Sequence, residues 1–142
     1  MATAGEITLT ISVTGTLSGG DAIRSFSESK VSTSIADYFD RIINVPTSLQ
    51  TVVAIGTVAG ATLASLNGLV VFNSDATNYV RLGLLAANGA AYFRINAGEL
   101  FAMNRDQLEA FAATTVFSAF ETLTTVNLIA DTAACRCQVV AW

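Results

Sequence analysis

Residues 79–95, YVRLGLLAANGAAYFRI, contain two runs of strand-like sequence with Asn88 and Gly89 between them. Apolar and polar side chains that alternate with a period of two are typical of a strand with one buried face, because successive side chains point to opposite faces. Asn-Gly between two such runs favours a β-hairpin, since both residues accept the positive φ of a type I′ turn. The stretch therefore predicts an antiparallel pair of strands.

Strand patterns of the same kind recur on both sides of this hairpin. Apolar and polar side chains alternate from Ile7 to Val13, which predicts a first strand with one buried face. The serine-rich residues 25–33 predict an edge strand or an extended arm. Further strands are expected at residues 38–45, 50–58, 69–72, 100–103, 122–129 and 134–142. In the strand at 38–45, Phe39, Ile43 and Val45 share one face.

About eight to ten short strands with a turn every eight to twelve residues are typical of an antiparallel β-sandwich or jelly roll. The predicted fold class is therefore all-β, jelly-roll-like. Asn104 and Gln107 resemble a helix capping box, so one short helix is expected at residues 105–113. The 142 residues predict a single sandwich domain, in which residues 1–34 supply an edge strand and an extended arm.

Short polar segments predict the turns between the downstream strands. Asn and Asp side chains accept hydrogen bonds from nearby backbone N–H groups, and glycine accepts a positive φ. The turn residues identified in this way are Asn73 and Asp75, Asn88 and Gly89, and Gly98 and Glu99.

The composition favours a protein that works in contact with other subunits. Charged residues make up 13% of the chain, against about 25% in a typical soluble domain. The apolar fraction is 52% and the mean hydropathy is +0.55. Large exposed apolar patches are rare on monomers, so we expect a homo-oligomer, with a trimer as one arrangement. The contact surface is expected in the uncharged residues 42–74 or in residues 25–34, and the candidates are Val58, Leu63, Phe26 and Val31.

Several classes of chemistry have no residues to support them. The chain contains no histidine, and its seven basic residues are scattered singly, so neither imidazole catalysis nor a nucleic-acid surface is expected. The carboxylate pairs are close in sequence and are interpreted as acids at a strand start and in a helix first turn; they are Asp37 with Asp40 and Asp106 with Glu109. No nucleotide-binding or serine-hydrolase motif occurs. We therefore expect no enzyme, no cofactor and no metal site.

The cysteines are interpreted as buried thiols. In a strand, Cys135 and Cys137 point to the same face with Cα atoms about 6.6 Å apart, which fits disulfide geometry poorly. The alternation then places Val139 and Ala141 on the core side with them.

Residues 52–72 are apolar enough to suggest a membrane span and include the small-residue spacing of Gly56 and Gly60. Polar residues within the segment and the turn signal at Asn67 favour two buried strands around a loop, so no membrane contact is expected. The first residues show no basic segment followed by an apolar run, and no secretion signal is expected.

Three segments carry a resemblance to a known group of proteins. They are residues 71–80 (VFNSDATNYV), 93–99 (FRINAGE) and 130–140 (ADTAACRCQVV). Their order resembles small all-β structural proteins of tailed bacteriophages; residues 103–121 depart from that pattern. The resemblance implies a non-enzymatic virion protein that is assembled in the host cytoplasm and contacts itself and the major capsid or tail proteins. A capsid decoration (cement) protein is favoured over a tail, baseplate or fibre component that binds a receptor or glycan.

The aromatic residues leave a sugar-contacting surface open as an alternative. Tyr38, Tyr79 and Tyr92 lie in predicted strands, where a half-buried ring with a solvated hydroxyl is the commoner role.

Overall fold

A computed structural model of the chain describes residues 5–13, 15, 26–35, 37–56, 61–86, 89–104 and 123–142. Ten β-strands and no helix are present in these ranges, which confirms the all-β fold class. The chain forms two compact units, Met1–Ala36 and Asp37–Trp142. The strands of the first unit are β1 (Gly5–Val13) and β2 (Phe26–Ile35). Those of the second are β3 (Phe39–Val45), β4 (Gln50–Ala54), β5 (Gly68–Asn73), β6 (Val80–Ala86), β7 (Gly89–Ile95), β8 (Leu100–Asn104), β9 (Leu123–Ala130) and β10 (Cys135–Ala141).

The second unit is a sandwich of two four-stranded antiparallel sheets with the strand orders β3-β10-β5-β8 and β4-β9-β6-β7. Its strands pair from the outside inwards along the chain: β3 with β10, β4 with β9, β5 with β8, and β6 with β7. This long antiparallel hairpin is folded over, so that β5 also pairs with β10 and β6 also pairs with β9. The connectivity is that of a jelly roll.

The core lies between the two sheets and is made by alternate side chains of their strands. On β10, Cys135, Cys137, Val139 and Ala141 are buried, while Arg136 and Gln138 are exposed. The predicted orientation of this strand is confirmed. The other sheet supplies Leu82 and Leu84 from β6 and Val126 and Leu128 from β9, all fully buried.

The hairpin predicted from residues 79–95 is confirmed, with a shift in its turn. The register pairs Ala86 of β6 with Gly89 of β7, so Gly89 is the first residue of β7 and not one of the two residues between the strands. Residues 87 and 88, including Asn88, lie outside the described residues.

The first unit is an antiparallel hairpin of β1 and β2. Serine and threonine hydroxyls bond across one face, with Thr10 Oγ1 2.8 Å from Ser29 Oγ and Ser12 Oγ 2.9 Å from Ser27 Oγ. The expectation that β1 buries one face is wrong for the side chains described, since none of them is buried and Ile11 is 45% exposed. Two strands by themselves form a single layer, which cannot bury a face of its own.

The apolar residues 52–72 contribute to two strands with a connection between them, as predicted. They span the end of β4 and most of β5, and between these strands Leu63 forms an isolated bridge with Ile55. No helix in the described ranges is long and apolar enough to cross a membrane. The short helix predicted at residues 105–113 lies outside the described residues, as does nearly all of the 103–121 segment.

Candidate functional site

Two of the turns predicted from the sequence, those at Asn73 and at Gly98, meet the connection after β9 at one end of the sandwich, because alternate connections of a jelly roll lie at the same end. The connection after β5 bonds to that after β9, since Asp131 N donates to Tyr79 O at 3.1 Å. The connection after β7 joins them through Gly98 N, which donates to Asn73 O at 2.9 Å. The three segments that carry the resemblance therefore lie together.

Asn73 is the centre of this loop cluster. The residue is fully buried, and its Nδ2 donates to three backbone carbonyls, those of Asn78 at 2.9 Å, Ile95 at 3.2 Å and Asn96 at 3.2 Å. Its Oδ1 accepts from Asp75 N at 3.1 Å. One amide side chain thus fixes the turn that follows β5 to the turn that follows β7.

Asp75 has a similar structural role at the surface. Its Oδ1 accepts from the backbone N–H groups of Asn78 at 2.7 Å and Thr77 at 2.8 Å. These bonds, that from Asn78 first, hold the pKa of this carboxyl below its ordinary value. Because these bonds favour the ionised carboxylate, Asp75 carries no proton to donate near neutral pH.

The turn between β7 and β8 is built as the sequence predicts. Gly98 has a φ of 73°, a left-handed value that favours glycine. Glu99 N donates to Asn96 O at 3.0 Å, and the Glu99 carboxylate accepts from Asn96 N at 3.0 Å and Asn96 Nδ2 at 2.8 Å. Beside it, the Arg94 guanidinium lies 3.8 Å from the centroid of the Tyr79 ring. The predicted turn residues Asn73, Asp75, Gly98 and Glu99 all stabilise this end of the fold.

The described residues contain no group of three His, Cys, Asp or Glu side chains that could hold a metal ion. Of the carboxylates considered above, Asp37 and Asp40 are exposed, and Asp106 and Glu109 lie outside the described residues. In the loop cluster, Asn73, Asp75 and Glu99 use their side chains to close turns.

The two thiols are shielded in the core. Burial raises the pKa of Cys137 to about 12, and the neighbouring Cys135 and Asp75 add to this effect. Burial is also the largest cause that raises the pKa of Cys135, and the negative charges of Asp75 and Asp131 raise it further.

We expect 5,5′-dithiobis(2-nitrobenzoate) to label both thiols much more slowly in the native protein than in urea, because the reactive thiolate is both rare and enclosed. Measurement of absorbance at pH 8 with and without urea checks this expectation. Equal labelling rates would contradict the burial of the closing strand.

An apolar surface lies on the outer face of the β3-β10-β5-β8 sheet. Gln138 pairs with Ile42 on one side and with Phe72 on the other, and Phe72 pairs with Leu100. Paired residues of neighbouring strands share a face, so these four side chains form one row across the sheet, here called the exposed row. Ile42 is 59% exposed, Phe72 38% and Leu100 60%.

The neighbours of the exposed row are also mostly apolar. Val140, Val70 and Ala102 follow in the next row, where they continue from Asp40. On the other side of the exposed row lie Asn44 and Arg136. A face with one acid, one base, two amides and six apolar side chains is a candidate protein contact surface.

The outer face of the other sheet is more polar, and the Tyr92 side chain covers part of it. Arg81 and Arg94 project from it, and the Tyr92 ring lies over its paired residue Gly83, where an added Cβ would be 3.2 Å from Tyr92 Cε1. Asn127, which pairs with Gly83 from β9, is only 5% exposed.

Aromatic exposure differs from the expectation of half-buried rings. Tyr38 is 69% exposed and Tyr92 63%, so two of the three tyrosines are largely solvated. Only Tyr79 is partly buried, beneath Arg94. Trp142 is 2% exposed and belongs to the core.

No protein-family model, curated protein or solved structure was found to match the chain.

The residues proposed from the sequence for a contact surface have different positions. Leu63 is 1% exposed, so its assignment to a surface is corrected: it packs in the core, because its bridge to Ile55 turns it inward. Val31 of β2 is 48% exposed. Phe26 begins β2, with its side chain outside the described part, and Val58 lies outside it altogether.

The sequence analysis placed a contact surface within residues 42–74, which include Ile42 and Phe72, but it did not name these two residues, and it missed Leu100. A signal for Ile42 was present, because Phe39, Ile43 and Val45 were assigned to the opposite face of the same strand. Phe72 is hidden in the continuous apolar run that begins at Leu69, where alternation gives no direction.

Proposed function

We propose that the chain is a non-enzymatic structural protein of a viral particle and that it acts in repeated copies through protein–protein contacts. The observation that carries this proposal is the exposed row, since a monomer gains nothing from three large apolar side chains in one solvated line. The low charge of the whole chain, 13%, agrees with it.

Two further observations support a virion component. Jelly rolls are recurrent among viral capsid domains, although lectin domains and cupins share the fold. The segments that resemble structural proteins of tailed bacteriophages are the ones that build the loop cluster. We favour a capsid decoration protein, which stabilises its particle by mass action because it binds the assembled form.

Addition of the purified chain to particles assembled without it tests this proposal. We expect saturable binding, measured by sedimentation, and a higher temperature of genome release, measured by thermal melting. Ile42→Glu should weaken binding at least about tenfold, because it places a charge in the apolar surface through which neighbouring copies contact one another on the particle. Ala90→Glu is the matched control, since Ala90 is an exposed strand residue of the other sheet and gains the same charge. Particles that neither bind the chain nor gain stability would contradict the proposal.

The second candidate function is a tail or fibre component that binds a receptor or glycan. The exposed rings of Tyr38 and Tyr92 favour it, because sugar faces stack on solvated aromatic rings. A glycan array separates the two proposals: specific binding that is lost in Tyr38→Ala or Tyr92→Ala supports the receptor-binding role, and its absence leaves the structural role.

A further inference from the structure

We infer that the outer face of the β3-β10-β5-β8 sheet binds the same face of a second copy, about a two-fold axis parallel to the exposed row. The inference rests on the proposed function only in that the chain is taken to act in repeated copies. It names the occupant of the apolar surface and the relative orientation of the two copies.

The positions of two charges select this orientation. Asp40 and Arg136 lie on opposite sides of the exposed row, each two residues along its strand from a member of the row, Ile42 or Gln138. A two-fold axis along the row exchanges the two sides, so Asp40 of each copy comes to lie beside Arg136 of the other. An axis parallel to the strands would keep each charge on its own side of the row, so Asp40 of one copy would not meet Arg136 of the other. Of these two arrangements, only the first places the opposite charges of the two copies beside each other.

The same axis also matches the apolar side chains. Because it runs along the row, Ile42, Phe72 and Leu100 each meet their counterparts in the second copy and leave water together. Gln138 Nε2 donates to Asp40 Oδ1 at 3.3 Å within one copy, which holds the carboxylate on this face. An isologous contact of this kind is the commonest form of self-association.

The size of the face sets the strength of the contact. Four strands spaced about 4.8 Å apart and about five residues long give a footprint of roughly 300 Å². Stable complexes usually bury about 800 Å² on each partner. We therefore expect a weak dimer in solution, with a Kd between micromolar and millimolar, that becomes effective where a particle holds many copies close together.

A charge exchange tests the orientation directly. The dimer Kd of the full chain is measured by sedimentation equilibrium from 10 μM to 1 mM, with native mass spectrometry to assign the species. Asp40→Arg and Arg136→Asp should each raise the Kd at least about fivefold, since each single variant places like charges together. The double variant D40R/R136D should return the Kd to within about twofold of the original value, because the exchanged charges pair again.

Matched controls carry the same charge changes outside the face. Asp37→Arg changes an exposed carboxylate two residues before β3, and Arg81→Asp changes an exposed guanidinium of the other sheet. Neither should alter the Kd more than about twofold. Circular dichroism of every variant confirms that an effect on the Kd does not come from unfolding.

Three results would overturn the inference: a chain that stays monomeric at 1 mM, single variants that behave like the controls, or a double variant as weak as the single variants. None of these would refute the structural role, because binding to particles is measured separately. If the chain binds particles but the charge-exchange variants do not change the dimer Kd as expected, the apolar surface would be assigned to contact with a different viral protein. If the charge exchange restores the dimer Kd but the chain does not bind particles, the dimer would be supported and the virion proposal refuted.

Discussion

Gly68→Ala is expected to lower the free energy of unfolding of the sandwich by about 3 kcal/mol, as overpacking of a core does. A Cβ at Gly68 would overlap Cζ2 and Cε2 of the Trp142 indole. The indole is 2% exposed, and Trp142 N and Gly68 N bond reciprocally to the carbonyls of Gly68 and Trp142 at 3.1 and 3.0 Å. The backbone of Trp142 is therefore held beside Gly68, and its buried ring can move aside only by displacing other core side chains. Denaturant unfolding followed by circular dichroism measures the effect.

Gly89→Ala is the control for this prediction. Gly89 also begins a strand, but an added Cβ there meets no atom within 4 Å, so we expect a change within about 0.5 kcal/mol. A double-mutant cycle with Trp142→Ala should remove most of the cost of Gly68→Ala, although Trp142→Ala is itself destabilising. Equal costs of Gly68→Ala in both backgrounds would show that the indole is not what the new methyl group meets.

Asn73→Asp is expected to destabilise the sandwich by several kcal/mol at pH 7 and much less at pH 4. The substitution removes the Nδ2 donor from three backbone carbonyls and places a carboxylate among them in a fully buried site. Burial and the facing carbonyl oxygens raise the pKa of such a carboxyl in the folded state. Its protonated form is therefore compatible with folding below the ordinary pKa of about 3.9, and stability is lost as the pH rises above that value.

The measurement is the difference in unfolding free energy between Asn73→Asp and the unmodified chain at each pH, so that the titration of other groups cancels. Asn44→Asp is the control, because Asn44 is exposed on β3 and its carboxylate would stay solvated. We expect a difference within about 0.5 kcal/mol for Asn44→Asp at both pH values. A pH-independent loss for Asn73→Asp would indicate that the missing hydrogen bonds, and not the buried charge, dominate.

Local sequence was enough to predict the strands and several turns. Alternation in Cys135–Ala141 placed both thiols on the core face, and the structure buries them. Asn73 and Asp75 were identified as turn residues because their side chains bond to backbone groups two or three residues away, an interaction that needs no distant partner. Such features depend on short stretches of chain, so the sequence alone carries them.

Tertiary structure decided the burial of Leu63 and the exposure of Phe72, both within the same uncharged segment. Residues 42–74 contain no charge that would mark a solvated face, and the continuous apolar run of β5 gives no alternation to follow. The exposed row exists because Ile42, Phe72 and Leu100, far apart along the chain, are brought into register through β10 and β5. Pairing register and the choice of the face that meets the second sheet depend on contacts between distant strands, which no local pattern encodes.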